Sequence, residues 1–188
     1  FTYNDIKQRN RNSLLWQDDS VDGLKTGHTE KAGHCLVSSA SRNDTRLIAV
    51  TLNSSSEKNR LKDNRKILDY GFRYYRTKKL FLKGQNLREE QIWGGQQETV
   101  KISPLEDLYL TLPIRDFRRV RSVFVLDNYI KAPVTEGQVV GKMLLKLDEK
   151  EVGKVHLVSL EDIDAKGFFG KAWSNIKLLV FRFLMEEN

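Results

Sequence analysis

Few residues of this chain have types and spacing that could do chemistry. The most suggestive are Lys25-Thr26-Gly27, set within the stretch Val21 to Gly33. A cation beside a hydroxyl can hold an anion through charge-assisted hydrogen bonds. A residue without Cβ lets another backbone approach closely. Alone, however, a three-residue string is weak evidence. His28, His34, His156 and the single Cys35 are scattered without ligand spacing, so neither a metal nor a cofactor is expected. His28 reads as a polar turn residue, and His34 and Cys35 as strand residues. One cysteine cannot close an intrachain disulfide.

Several elements must position these residues. Val21–Gly27 reads as a short strand ending in a glycine turn. Cys35–Ala40 is a small-residue strand. Arg46–Leu52 is a nearly continuous apolar run, as in a strand buried in a sheet. Asn43-Asp44 supplies the turn between the last two, and the three together predict an antiparallel meander. A serine ahead of Glu57 marks a helix start. Leu61, Ile67, Leu68, Gly71, Phe72 and Tyr75 then recur at helical spacing, opposite Lys58, Lys62, Arg65 and Lys66. That pattern predicts an amphipathic helix of about five turns packed on the meander.

Beyond Lys79 the pattern changes. Short apolar runs follow at 80–82, 91–93, 99–102, 108–112, 122–126, 139–140, 142–147 and 154–158. Gly84, Gly94-Gly95, Gly137, Gly141 and Gly153 punctuate them, and 148–151 reads as a polar hairpin tip. Many short strands at even spacing predict a small β-sandwich or barrel. In the last segment Phe169, Trp173, Ile176, Val180 and Phe183 fall on one stripe, with Lys171 and Arg182 largely opposite. Such a helix suits the membrane interface, or alternatively packing on another protein surface.

The chain is α+β overall. Its expected parts are 1–79, 80–166 and an amphipathic helix at 167–188. The formal net charge is +7, and the first 80 residues hold 16 Lys and Arg against 9 Asp and Glu. A basic half can meet an anionic substrate, a membrane or nucleic acid. Nucleic acid ranks last, because the basic face lacks interleaved aromatics. No apolar run reaches the length of a membrane-spanning helix. The chain begins at Phe1 without Met or a signal peptide, so it is expected to be a mature or truncated product.

Lys25-Thr26-Gly27 gains weight from its surroundings. K-T-G, with S-x-x-K and an S-x-N-type motif, marks penicillin-binding proteins and class A β-lactamases. Asn10-Arg11-Asn12 with Leu14-Leu15-Trp16, the stretch Val21–Gly33, Gly71-Phe72-Arg73, Val139-Val140-Gly141 and Phe168-Phe169-Gly170-Lys171 follow in order. In these the chain resembles the low-molecular-mass penicillin-binding proteins that act as serine-type D-alanyl-D-alanine carboxypeptidases. The resemblance runs over essentially the whole chain. It implies the C-terminal part of a transpeptidase/β-lactamase-like domain, then a small β-sandwich-like domain, then a C-terminal membrane-anchor helix. A β-lactamase or a cross-linking transpeptidase is the related alternative, and a non-catalytic membrane or interaction fragment is another.

The resemblance also implies roles. Lys25 supplies positive charge and supports the proton network. Thr26 Oγ1 hydrogen-bonds the terminal carboxylate of a stem peptide or β-lactam. Gly27 leaves room for that peptide along the strand. The backbone N–H of His28 is an oxyanion donor, and Arg60 stands near the substrate carboxylate. The implied location is the periplasm, peripheral to the inner membrane. S-x-x-K and S-x-N are expected to be missing from the chain, because the family places both ahead of Phe1. Residues 1–188 alone are therefore expected to be inactive. The strand at Arg46–Leu52 should lose its neighbour and offer an open apolar edge that could pair with a second copy.

Overall fold

The computed structural model describes residues 2–3, 5–7, 9–127 and 129–167. The expected helix at 167–188, with Phe169, Trp173, Ile176, Val180 and Phe183, lies outside the described residues apart from Gly167. The chain divides into two compact units, 1–78 with 111–117, and 79–110 with 118–188.

The first unit begins with β1 (Thr2–Tyr3) and β2 (Ile6–Lys7), which pair with each other, and a 3-10 turn at Ser13–Trp16. Then come β3 (Val21–Thr29), β4 (Gly33–Arg42), β5 (Thr45–Ser54) and helix α1 (Glu57–Tyr74). Strands β3-β4-β5 form an antiparallel three-stranded sheet in that order, which is the expected meander. Asn43 and Asp44 both adopt positive φ, 47° and 62°. Two left-handed residues give the turn the twist that a tight hairpin needs. Gly27, in contrast, makes no turn. It sits inside β3 opposite Cys35, and the strand continues to Thr29. The turn comes later, and Gly33 carries the positive φ of 60°.

Helix α1 starts where the serine predicts. Ser56 Oγ accepts the Asn59 N–H at 3.1 Å, and Glu57 stands in the first turn. Both favour the positive end of a helix. The packed face matches expectation at Leu61, Leu68 and Phe72, which pack into the core, and differs elsewhere. Ile67 and Tyr75 are exposed, whereas Arg60, Asn64 and Leu68, one helical turn apart, are buried. Leu68 joins Leu14, Val21, Leu36, Ala40 and Ala49 in the core of the unit. Strand β5 also departs from a fully buried strand. Ala49 and Thr51 face the core, while Ile48, Val50 and Leu52 are 64%, 51% and 71% exposed. The strand alternates because α1 covers only one face of the sheet, and β5 is its edge.

The remaining strands are β6 (Tyr75–Phe81), β7 (Arg88–Trp93), β8 (Thr99–Pro104), β9 (Leu108–Pro113), β10 (Val120–Leu126), β11 (Ile130–Lys131), β12 (Val139–Leu147) and β13 (Lys150–Ser159). Strands β6 and β9 pair together. The second unit is mostly β, built on a six-stranded sheet in the order β10-β12-β13-β8-β7-β11. Its core holds Val100, Ile102, Met143, Leu145, Val155 and Leu157. The runs at 139–140 and 142–147 are one strand, continuous through Gly141. Gly141 marks a bulge with φ 156°, and a Cβ there would lie 2.6 Å from the Val125 carbonyl. Only glycine lets β10 come that close.

Candidate functional site

Lys25-Thr26-Gly27 lies on β3, an edge strand of the three-stranded sheet. Register sets Thr26 opposite Leu36, Gly27 opposite Cys35 and His28 opposite His34. The start of this edge is closed by two asparagines. Asn10 Nδ2 donates to the Leu24 carbonyl at 3.0 Å, and Asn12 Nδ2 to that of Gly23 at 2.9 Å. Asn12 is fully buried, and its Oδ1 accepts the Leu14 N–H that begins the 3-10 turn. The Asn10-Arg11-Asn12 segment is thereby pinned beside the motif strand, bringing Arg9 and Arg11 to the site.

Around this strand is a groove of about 630 Å³. It is lined by Arg9, Asn10, Arg11, Lys25, Thr26, Gly27, His28, Glu57 and Arg60. All the sequence-predicted site residues of the first unit therefore meet in one place. Arg9 and Arg11 are the additions. Sequence reading quoted Arg11 only as part of the lead-in, although the basic excess of the first segment was a signal for both.

Thr26 is 8% exposed, and Lys25 Nζ donates to the Thr26 carbonyl at 2.8 Å. Arg60 is 3% exposed, far from an ordinary solvated helix charge. One guanidinium nitrogen meets Glu57 Oε1 at 3.1 Å, while Nε is buried without a hydrogen-bond partner. A buried guanidinium with a free donor is prepared for an anion. Glu57 is the one acid among the lining residues, so the groove is strongly cationic.

The helix carrying Arg60 is locked to the sheet by Asn64, one turn later. Asn64 Nδ2 donates to the carbonyls of Leu36 and Ala49, both at 3.3 Å, and reaches Thr51 Oγ1 at 3.4 Å. Its Oδ1 accepts from Ser38 Oγ. Sequence reading passed over this residue, because an asparagine interrupting an apolar stripe carries no signal of burial.

The expectation that S-x-x-K and S-x-N are missing needs correction as a statement about spacing. Ser55-Ser56-Glu57-Lys58 and Ser174-Asn175-Ile176-Lys177 have the first and Ser41-Arg42-Asn43 the second, Ser174 and Lys177 lying outside the described residues. Among the described residues neither motif builds a nucleophile. Ser55 is exposed at the start of α1, where its Oγ accepts Asn59 Nδ2 at 2.7 Å. Neither Ser55 nor Lys58 lines the groove. Ser41 and Asn43 belong to the β4–β5 hairpin end and do not line it either. Cys35 Sγ approaches the Ala32 carbonyl at 3.2 Å. The histidines are less scattered than they read, since the rings of His28 and His34 lie 4.1 Å apart.

A strand edge bearing Lys25-Thr26-Gly27 beside a cationic groove carries one of the three motifs that together mark the penicillin-binding proteins. Residues 1–56 match the family described as D-alanyl-D-alanine carboxypeptidase. Residues 75–165 match that described as penicillin-binding protein 5, C-terminal domain. The chain is 38% identical over 183 residues to D-alanyl-D-alanine carboxypeptidase DacA of Haemophilus influenzae, covering 96% of this chain and 47% of that protein. It is also 38% identical over 181 residues to DacA of Escherichia coli K12, covering 95% and 45%. The crystal structure of penicillin-binding protein 5 from Haemophilus influenzae superposes with a TM-score of 0.73 at 36% identity, over 87% of this chain and 48% of that one. The chain belongs to the low-molecular-mass penicillin-binding D-alanyl-D-alanine carboxypeptidase family, as its C-terminal portion. It spans about half the length of the curated relatives it matches.

Proposed function

We propose that this chain supplies the carboxylate-reading wall of a serine D-alanyl-D-alanine carboxypeptidase. The observation that carries this reading is the buried Arg60, with its free Nε, in the same groove as Lys25-Thr26-Gly27 on a sheet edge. The substrate is a peptidoglycan stem peptide ending in D-Ala-D-Ala, and β-lactams compete for the same wall. The peptide adds to the free edge of β3 as an extra strand. Its terminal carboxylate is held by Thr26 Oγ1 and the Arg60 guanidinium, with Lys25 adding positive charge.

A serine from the part of the protein preceding Phe1 attacks the carbonyl between the two alanines. Its proton passes to a base, the C–N bond breaks, and the terminal D-Ala leaves with a proton on its amine. Water then hydrolyses the acyl-enzyme and restores the serine. Through both steps the His28 N–H stabilises the developing oxyanion, a donor of a kind worth about 2.7–4 kcal/mol.

The C-terminal stripe of Phe169, Trp173, Ile176, Val180 and Phe183 serves as an interfacial anchor on the periplasmic face of the inner membrane. Its apolar positions and the cations opposite support this. No helix among the described residues is long and apolar enough to cross a membrane. Flotation with anionic liposomes, with and without residues 168–188, tests the anchor; equal binding by both would remove it. Fluorescent penicillin tests the enzymatic reading. Protein made from the whole coding sequence is expected to be labelled covalently, and residues 1–188 alone to stay unlabelled. An unlabelled whole protein overturns the reading, and labelling of residues 1–188 would turn attention to Ser55 and Ser174.

A further inference from the structure

We propose that His28 and His34 form a two-imidazole site for an exchangeable divalent transition-metal ion, Zn²⁺ or Ni²⁺, at one end of the groove. The register of β3 and β4 sets the two residues directly opposite one another. Their ring centroids are 4.1 Å apart and their planes differ by 32°. The sheet has thus already brought two imidazoles together, so a chelating ion need not collect them from separate places. Neutral imidazole is the commonest metal ligand among side chains, and these ions accept it readily.

A second observation points the same way. His34 Nδ1 is buried and has no hydrogen-bond partner. A buried ring nitrogen without a partner is uncommon, and no hydrogen bond at Nδ1 fixes the His34 ring against turning toward a shared ion. Cys35 belongs to the neighbouring pair with Gly27, and its Sγ approaches the Ala32 carbonyl instead. Among the described residues no group of three or more His, Cys, Asp or Glu side chains stands ready to enclose an ion. Water therefore completes the coordination. This separates the site from closed four-ligand structural zinc centres and makes it exchangeable. His28 also lines the groove, so a bound ion places two positive charges at its end.

The test needs only the 188-residue chain, and its outcome is independent of whether the protein hydrolyses peptides. Zn²⁺ and Ni²⁺ are titrated separately by calorimetry into the wild type, His28→Gln, His34→Gln and Cys35→Ser. One ion per chain is expected, with affinity lowered about tenfold or more by either histidine substitution and unchanged by Cys35→Ser. Ni²⁺ should broaden the ring resonances of His28 and His34 and leave those of His156 sharp. Should His34→Gln fail to fold, the exposed His28 carries the test by itself. Absence of saturable binding, or binding that survives His28→Gln, or binding lost in Cys35→Ser, would overturn the proposal.

Discussion

The Asn64 side-chain amide donates to the Leu36 carbonyl at 3.3 Å, and Leu36 faces Thr26 across the β3–β4 ladder. One bond thus ties the helix carrying Arg60 to the strand next to the motif. Asn64 also holds Ala49, Thr51 and Ser38, and it is fully buried. Replacing it with leucine strands the Ser38 hydroxyl and takes a donor from the Ala49 carbonyl, while the Leu36 carbonyl keeps the Thr51 hydroxyl at 3.3 Å. Leaving buried polar groups unpaired costs about 1–3 kcal/mol each. Asn64→Leu is expected to lower stability by about 2–4 kcal/mol, read from urea unfolding of the first unit's signal. A change within about 0.5 kcal/mol would contradict the lock.

Much of this architecture is legible in the sequence, and the exceptions have physical causes. The hairpin turn at Asn43-Asp44 and the cap at Ser56 are local chemistry, so they read directly. The convergence of Lys25, Thr26, Gly27, His28 and Arg60 was legible only through the family resemblance, because 35 positions separate Lys25 from Arg60. The burial of Asn64 and the pairing of His28 with His34 depend on tertiary packing and strand register. The apolar run in β5 exposes Ile48, Val50 and Leu52 on a sheet face that nothing among the described residues covers, in a chain spanning about half the length of its relatives. Gly27 misled because glycine serves a strand edge as well as a turn.

Gly141 is the corresponding test of the second unit. With φ 156° and backbone atoms of Val125 and Leu126 within 2.6–2.8 Å of a would-be Cβ, β12 and β10 must separate to admit a side chain. Overpacking of this kind costs about 1–3 kcal/mol. Gly141→Ala should lower the melting temperature of the unit by several degrees, whereas Gly153→Ala, where a Cβ meets only ordinary contacts at 3.6 Å, should lower it less. Equal shifts would contradict the close approach.

Asp18 gives the acid dependence. Partial burial favours its neutral form, but hydrogen bonds from Ser20 and the Arg42 guanidinium at 2.7 Å outweigh this and hold its pKa below the ordinary 3.8. A depressed carboxyl adds stability above its unfolded pKa and loses it as pH falls through the folded one. The first unit should therefore lose stability as pH drops from about 4 toward 2. Asp18→Asn should flatten that loss and cost about 1 kcal/mol at neutral pH, the modest figure reflecting the solvent around Arg42. Urea midpoints across the range check both; an acid limb unchanged by Asp18→Asn would contradict them.

Recognition of a free carboxylate by Arg60 and Thr26 is the central claim, and one comparison tests it most directly. The protein made from the whole coding sequence is assayed on an N-acylated D-Ala-D-Ala peptide and on its C-terminal amide, in wild type and in Arg60→Gln. Hydrogen bonds to charged groups are worth about 1.5–3 kcal/mol, so kcat/KM for the free acid should fall about 10- to 100-fold in Arg60→Gln. The amide should be poor for both proteins and nearly unaffected by the substitution, so the preference for the acid collapses. A preference that survives Arg60→Gln intact would contradict the account.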